Sequence, residues 1–158
     1  MGTVDNRFMG LALKEARKNL GSVQGGPFGA CIVRKGKVVC VARSTVWKSR
    51  DATCHAEVNA IRAASRKLLR WLLDDCVVYS TTEPCPMCFS AIHWAGIKKI
   101  VFGASVRDAK MAGFNELLIS NREMNYSAKK KISIVSGVMA KECKALLKEW
   151  AEKKNPVY

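Results

Sequence analysis

The chain has 158 residues, 49% of them hydrophobic, a length and composition that suit one compact domain spanning residues 1–158 around one core. No apolar run approaches the about 20 residues of a membrane span. The 27 basic residues outnumber the 13 acidic ones for a net charge of +14, a field that attracts anions such as nucleotides or RNA.

The first predicted element is a helix over residues 6–19, with Phe8, Leu11, Leu13 and Ala16 along one side and Asp5 at the cap. "GSVQGGP" ends it. "FGACIVRKGKVVCVAR" predicts a hairpin turning at "RKGK". The polar stretch "STVWKSRDAT" reads as a loop. A helix is expected over "HAEVNAIRAASRKLLRWLL", then a short apolar strand at "CVVYS". "PMCFSAIHWAG" is expected to be helical with Pro86 in its first turn. "KKIVFGA" is a buried-type strand, and "AGFNELLISNREMN" holds a short helix. "KISIVSG" is the fifth strand and "VMAKECKALLKEWAEKK" the last helix. Strands separated by helices require crossovers, which predicts a largely parallel α/β sheet covered by helices.

The N-terminal stretch is amphipathic, carries acids and lacks the build of a secretory signal, so a soluble, cytoplasmic protein is expected. Seven cysteines, an odd number, argue against a disulfide framework in such a chain. Cys31, Cys40 and Cys76 sit in apolar runs and read as small buried hydrophobes. The basic residues are spread along the chain, and only Lys129–Lys131 forms a tight run, so the plain reading of the charge is a solvated lysine coat.

Two stretches carry the chemistry: "CHAE" at Cys54–Glu57 and "EPCPMC" at Glu83–Cys88. Cys85 and Cys88 lie one helical turn apart at a strand-to-helix junction, where both thiols can face one way. The helix N-terminus favours thiolates there. With His55 they make three ligands suited to Zn2+, leaving a fourth tetrahedral position open. His93 lies five residues past Cys88 and faces elsewhere. Cys54 is either a fourth ligand or packed under its loop. Glu57 is either a first-turn acid complementing the helix dipole or a proton carrier for a metal-activated water. A redox Cys-x-x-Cys pair is the other reading of Cys85 and Cys88, but it leaves His-x-Glu without a purpose. The combined pattern H-x-E…P-C-x-x-C is the zinc deaminase signature.

At these residues the chain resembles the cytidine-deaminase-like superfamily. "GGPFGA", "CHAEVNAIR", "EPCPMC" with "AIHWA", and "AGFNE" look most like the small bacterial guanine deaminases and the plant guanosine deaminases. The resemblance implies a three-layer α/β/α fold around a five-stranded mixed sheet. It implies zinc on His55, Cys85 and Cys88, with Glu57 shuttling protons as guanine becomes xanthine. It further implies aromatic substrate contacts at Phe28, Trp94 and Phe114, with Tyr158 closing the pocket and Glu116 as a second acid. Without the resemblance, Phe28, Trp94 and Phe114 read as ordinary core. A homodimer exchanging its C-terminal segment is also implied. The chain departs from the pattern at Ser44, where the group carries an Asn that hydrogen-bonds the base. Serine cannot make an amide's paired contacts, which leaves substrate identity open.

Four readings therefore stand. The first is a guanine or nucleoside aminohydrolase. A tRNA adenosine deaminase is the second, supported by the basic charge and by "VFGASVRDAK". The third is a deaminase of cytosine, a pterin or a triazine. A zinc-stabilised RNA-binding module is the fourth.

Overall fold

The structure, a computed structural model, describes residues 5–158. Helix α1 (Asn6–Arg17) starts where the sequence predicts, with the Asp5 carboxylate accepting from the Arg7 amide. A single further turn, α2 (Asn19–Ser22), follows it. Strands β1 (Gly29–Arg34) and β2 (Lys37–Arg43) form the predicted hairpin. Lys35 and Gly36 take positive φ between them, as a tight two-residue turn requires.

Strands β3 (Cys76–Thr82), β4 (Lys99–Ala104) and β5 (Ser133–Val135) complete one sheet in the order β2-β1-β3-β4-β5. The sheet is mixed, as the family resemblance implies, and not largely parallel, as the order of strands and helices alone predicts. β1 runs antiparallel to both β2 and β3, while β3, β4 and β5 are parallel. The reason lies in connectivity: the hairpin reverses the chain, and α4 (Ala56–Leu68) then carries it to the far side of β1 instead of back beside β2.

Strand alternation divides the core in two. Cys31, Val33, Tyr79 and Val101 pack with α1 and with α8 (Ala140–Glu152) on one face. Ala30, Ile32, Val78 and Ile100 pack with α4 and with α5 (Pro86–Trp94) on the other. The result is the three-layer arrangement expected. Cys31, Cys76 and Cys143 are buried, Cys40 is half-buried, and none is in a disulfide.

Some local details differ from expectation. The α4 helix stops at Leu68, five residues short of the predicted "RWLL" end, because Leu69 turns left-handed at φ +54°. Beyond it, Trp71 is largely exposed. One-turn α3 (Val46–Ser49) occupies the expected loop. Helix α6 (Val106–Met111) follows β4, held by a reciprocal cap between Ser105 and Asp108, a signal visible in "SVRD". Helix α7 (Asn121–Ser127) is the short helix expected in "NREMN".

Candidate active site

The C-terminal ends of β2, β3 and β4 and the start of β1 share one edge of the sheet. His55 is the N-cap residue of α4 and its side chain makes no capping bond, so the ring is free to turn toward β3. Cys85 caps α5, with Pro86 at the first helical position and Cys88 one turn on. The two helix starts therefore present His and both Cys to one point. His55 Nδ1 lies 3.6 Å from Cys85 Sγ and 3.6 Å from Cys88 Sγ. Tetrahedral zinc, with S at about 2.3 Å and N at about 2.0–2.1 Å, holds N and S donors about 3.6 Å apart. The donor set and its spacing thus fit zinc, and the three atoms are the metal-capable cluster found among the described residues.

Cys54 is not part of that cluster. Its thiol turns back to Asp51 Oδ2 at 3.3 Å and receives the Arg62 guanidinium at 3.4 Å, so the fourth position has no protein ligand from it. His93 faces away, in a groove with Trp71 and Trp94.

Glu57 is buried, and β3 fixes it: Ser80 Oγ donates to Oε1 at 2.8 Å, while Oε2 accepts from the Cys88 thiol at 3.4 Å. Burial pushes the Glu57 carboxyl above its ordinary range against the pull of His55. Between the thiols the charge is lopsided. The Cys88 hydrogen bond, and then His55, bring Cys85 down to about 4 against burial. Cys88, next to the Cys85 thiolate, buried and beside Glu57, is pushed up. Burial works to lower the His55 pKa, but the Cys85 thiolate and then Glu57 outweigh it and raise it. Glu116 joins the pocket, and burial together with Cys85 raises it to about 7.

Aromatic rings roof this centre. Phe28 and Phe114 meet edge to face at 4.7 Å between centroids, and Tyr158 crosses Phe114 at 5.5 Å and the His55 ring at 5.8 Å. The Tyr158 hydroxyl sits 3.0 Å from Ser44 Oγ. Its tail is tied down by Asn115 N–H donating to the Tyr158 carbonyl and by Trp150 Nε1 donating to the Pro156 carbonyl. Gly25 is required here, since a Cβ at that position would lie 2.5 Å from Ser44 backbone atoms. The space left among Phe28, His55, Glu57, Cys85 and Glu116 is about 20 Å³, room for about one water.

The structure brings together His55, Cys85, Cys88, Glu57, Glu116, Phe28, Phe114, Ser44 and Tyr158. It does not bring Trp94. That residue is 76% exposed at the far end of α5, about 13 Å along the axis from Cys85 at the rise of an α-helix. Three residues that shape the site escaped the sequence reading. Ser80 orients Glu57, and strand alternation alone places it on the α4 side with Val78. Glu83 accepts from the Val106 and Asn121 amides at 3.2 and 2.8 Å. Asn19 donates to the Gly26 and Ser44 carbonyls at 2.8 and 2.9 Å, fixing the Ser44 wall.

Comparison with known proteins agrees with this geometry. Residues 3–104 match the model of the cytidine and deoxycytidylate deaminase zinc-binding region. Guanine deaminase of Bacillus subtilis (strain 168) is 43% identical over 112 residues, 71% of this chain and 72% of that protein. A tRNA-specific adenosine deaminase of Buchnera aphidicola subsp. Schizaphis graminum is 34% identical over 153 residues, 96% of both chains. The solved guanine deaminase from Nitrosomonas europaea superposes with a TM-score of 0.85 at 26% identity, covering 96% of this chain and 87% of that one. The His-x-Glu and Cys-x-x-Cys helix starts, the mixed five-stranded sheet and these matches place the chain in the zinc-dependent deaminase family typified by cytidine and deoxycytidylate deaminases.

Proposed function

We propose that the chain is a guanine deaminase, converting guanine and water into xanthine and ammonia, with His55, Cys85 and Cys88 as the zinc ligands. The observation that carries the reading is the aromatic roof: Phe28, Phe114 and Tyr158 close over the ligand cluster and leave about 20 Å³. That space holds about one water, so a flat free base enters only when the Tyr158 tail swings out, and the rings then close on the base itself. The Bacillus subtilis guanine deaminase similarity supports it.

Bound zinc would lower the pKa of a water molecule beside the substrate. Glu57 takes one proton of the attacking water and passes it to the ring nitrogen next to the amino-bearing carbon, then takes that water's remaining proton and delivers it to the departing amine as the new C=O forms and the C–N bond breaks. Its upward shift, caused by burial, suits a group that must both accept and give a proton. Glu116, also raised, faces the same space and hydrogen-bonds a ring N–H or holds the second proton. Phe28 and Phe114 flank the base, and Ser44 with the Tyr158 hydroxyl offers it a polar edge.

We read the working form as a cytoplasmic homodimer; within one chain Tyr158 already reaches Ser44 at 3.0 Å, and exchange of the C-terminal segments would make the same contact between subunits. The exposed Trp94 beside Phe89 and Met124 gives such a dimer an apolar contact. Among the described residues no helix is long and apolar enough to cross a membrane.

The second reading is tRNA adenosine deamination. It draws on the 96% coverage of the Buchnera relative and on the net charge of +14. Ammonia release by zinc-loaded protein from guanine, guanosine, adenine, cytosine, cytidine, a pterin, a triazine and a tRNA anticodon stem separates the two. Release from guanine, abolished in Glu57→Ala with zinc retained, is expected. Release from the anticodon stem alone would replace guanine by RNA, and undiminished turnover in Glu57→Ala would remove Glu57 from the mechanism.

A further inference from the structure

On the outer side of the Ser44 wall lies a second, wholly different groove of about 320 Å³ at the sheet edge, between α1, the end of β2, α3 and α4. Arg43, Lys48, Arg62 and Arg66 line it, and Glu15 is its one carboxylate. We propose that this groove is a binding site for a phosphate dianion, free or as the terminal phosphate of a small nucleotide.

The hydrogen-bonding groups left over in the groove are what point to an anion. Glu15 is already matched, by Lys18 Nζ at 2.6 Å and by Arg43 at 2.7 Å. Those two contacts hold its carboxyl below the ordinary range against burial. Lys48, Arg62 and Arg66 form no ion pair among the described residues. Arg62 reaches the Thr53 hydroxyl and the Cys54 sulfur, each at 3.4 Å, and feels the Asp51 carboxylate behind them through space without an ion pair to it. Arg43 uses two nitrogens on Glu15 and Gln24 and keeps a buried Nε–H with no acceptor. A buried donor left this way calls for a ligand or water. Thr45 Oγ1 accepts from both Ser49 and Asn59, so its own O–H remains to be given. Gln24 accepts through Oε1, leaving its NH2 free. Apart from Glu15, already matched, and the Asn59 carbonyl, the lining offers donors; its four cations outnumber its one carboxylate, and Asp51 behind Arg62 offsets only part of that excess. Forked guanidinium groups with hydroxyl and amide donors match phosphate oxygens.

The groove is also held in shape. Asn59 Nδ2 ties together the Arg43 carbonyl, Thr45 Oγ1 and the Cys54 carbonyl at 3.0, 3.0 and 3.1 Å. Asn59, Arg62 and Arg66 lie at i, i+3 and i+7 on one face of α4. The competing account is a solvated basic face in which Arg66 only complements the C-terminal end of α4. That account predicts no difference between these cations and any others of equal number. The proposal is independent of guanine as substrate.

The test is calorimetric titration of inorganic phosphate into zinc-loaded protein at low ionic strength. It compares wild type, Arg62→Ala/Arg66→Ala, and a control Lys129→Ala/Lys130→Ala that removes the same charge elsewhere. The expected result is saturable binding in wild type and control, weakened by about tenfold or more in the arginine double variant. Circular dichroism of that variant should match wild type. Equal weakening in both double variants, or no saturable binding in wild type, overturns the site. A guanosine monophosphate titration separates the two sources of the dianion. Affinity equal to that of phosphate, lost with Arg62 and Arg66, assigns the groove to phosphate alone. Tighter binding that still depends on those arginines assigns it to a nucleotide, and binding indifferent to them counts against the proposal.

Discussion

Glu116 shows what a single carboxyl can report. Burial and the nearby Cys85 raise it to about 7, so the folded state keeps its proton where the unfolded chain has lost it. Between the ordinary glutamate pKa and about 7 the folded state binds more protons, and stability must fall as pH rises through that window. Glu116→Gln is expected to flatten the fall, measured as denaturant midpoints from pH 4.5 to 8; an unchanged slope would show that Glu116 does not titrate in the fold. Cys85→Ala acts differently. It removes a proposed zinc ligand from a site where metal affinity would be folding free energy. Zinc content and melting temperature should drop together, whereas metal retained at one zinc per chain would take Cys85 out of the ligand set. At this scale the motif residues were legible because His-x-Glu and Cys-x-x-Cys combine ligand type with spacing. Ser80 and Asn19 were not, because a lone serine or asparagine carries no pattern. Ser80 acquires its role from a partner 23 residues away, and Asn19 from partners 7 and 25 residues away.

Among the elements, α4 carries the clearest prediction. The helix ends on Leu69 in the left-handed region, 92% exposed, so this side chain contributes little packing and bears a backbone cost. Leu69→Gly should stabilise by about 0.5–1 kcal/mol, the gain usual for glycine at such a cap. Equilibrium denaturation checks it, and a loss of stability would mean that the leucine packs in solution. Sequence periodicity found α1, α4, α5 and α8 because each has an apolar side, yet it overran α4. Leu72 and Trp71 continued the apolar count although the backbone had already turned. The one-turn helices α2 and α3 lie below the length at which periodicity exists, so only hydrogen bonding in the fold defines them.

For the whole molecule, the tail beyond α8 decides access. Trp150 is fully buried, its ring stacks near-parallel to Trp47 at 6.1 Å, and its indole N–H anchors the Pro156 carbonyl. Tyr158 is thereby delivered to Ser44 and to the roof of the metal cluster. Deleting residues 156–158 should leave zinc content unchanged and cut kcat/KM for a small base by about ten- to a hundredfold, since a roof that excludes water is lost. Equal turnover with and without the tail would reduce Tyr158 to a surface contact.

By itself the sequence determined the α/β class, the three zinc-capable ligands and the acid beside them. These depend on local periodicity and on spacing within one turn of a helix, which the backbone geometry enforces wherever the helix sits. Only the tertiary structure decided that β1 runs antiparallel to β3 and that Cys54 turns to Asp51 while His55 turns to the thiols. It also decided that Ser44 meets Tyr158 and that Trp94 stands apart from the pocket. Those outcomes depend on which element crosses to which side of the sheet. That choice is made by burying both faces at once, and no short stretch of sequence encodes it.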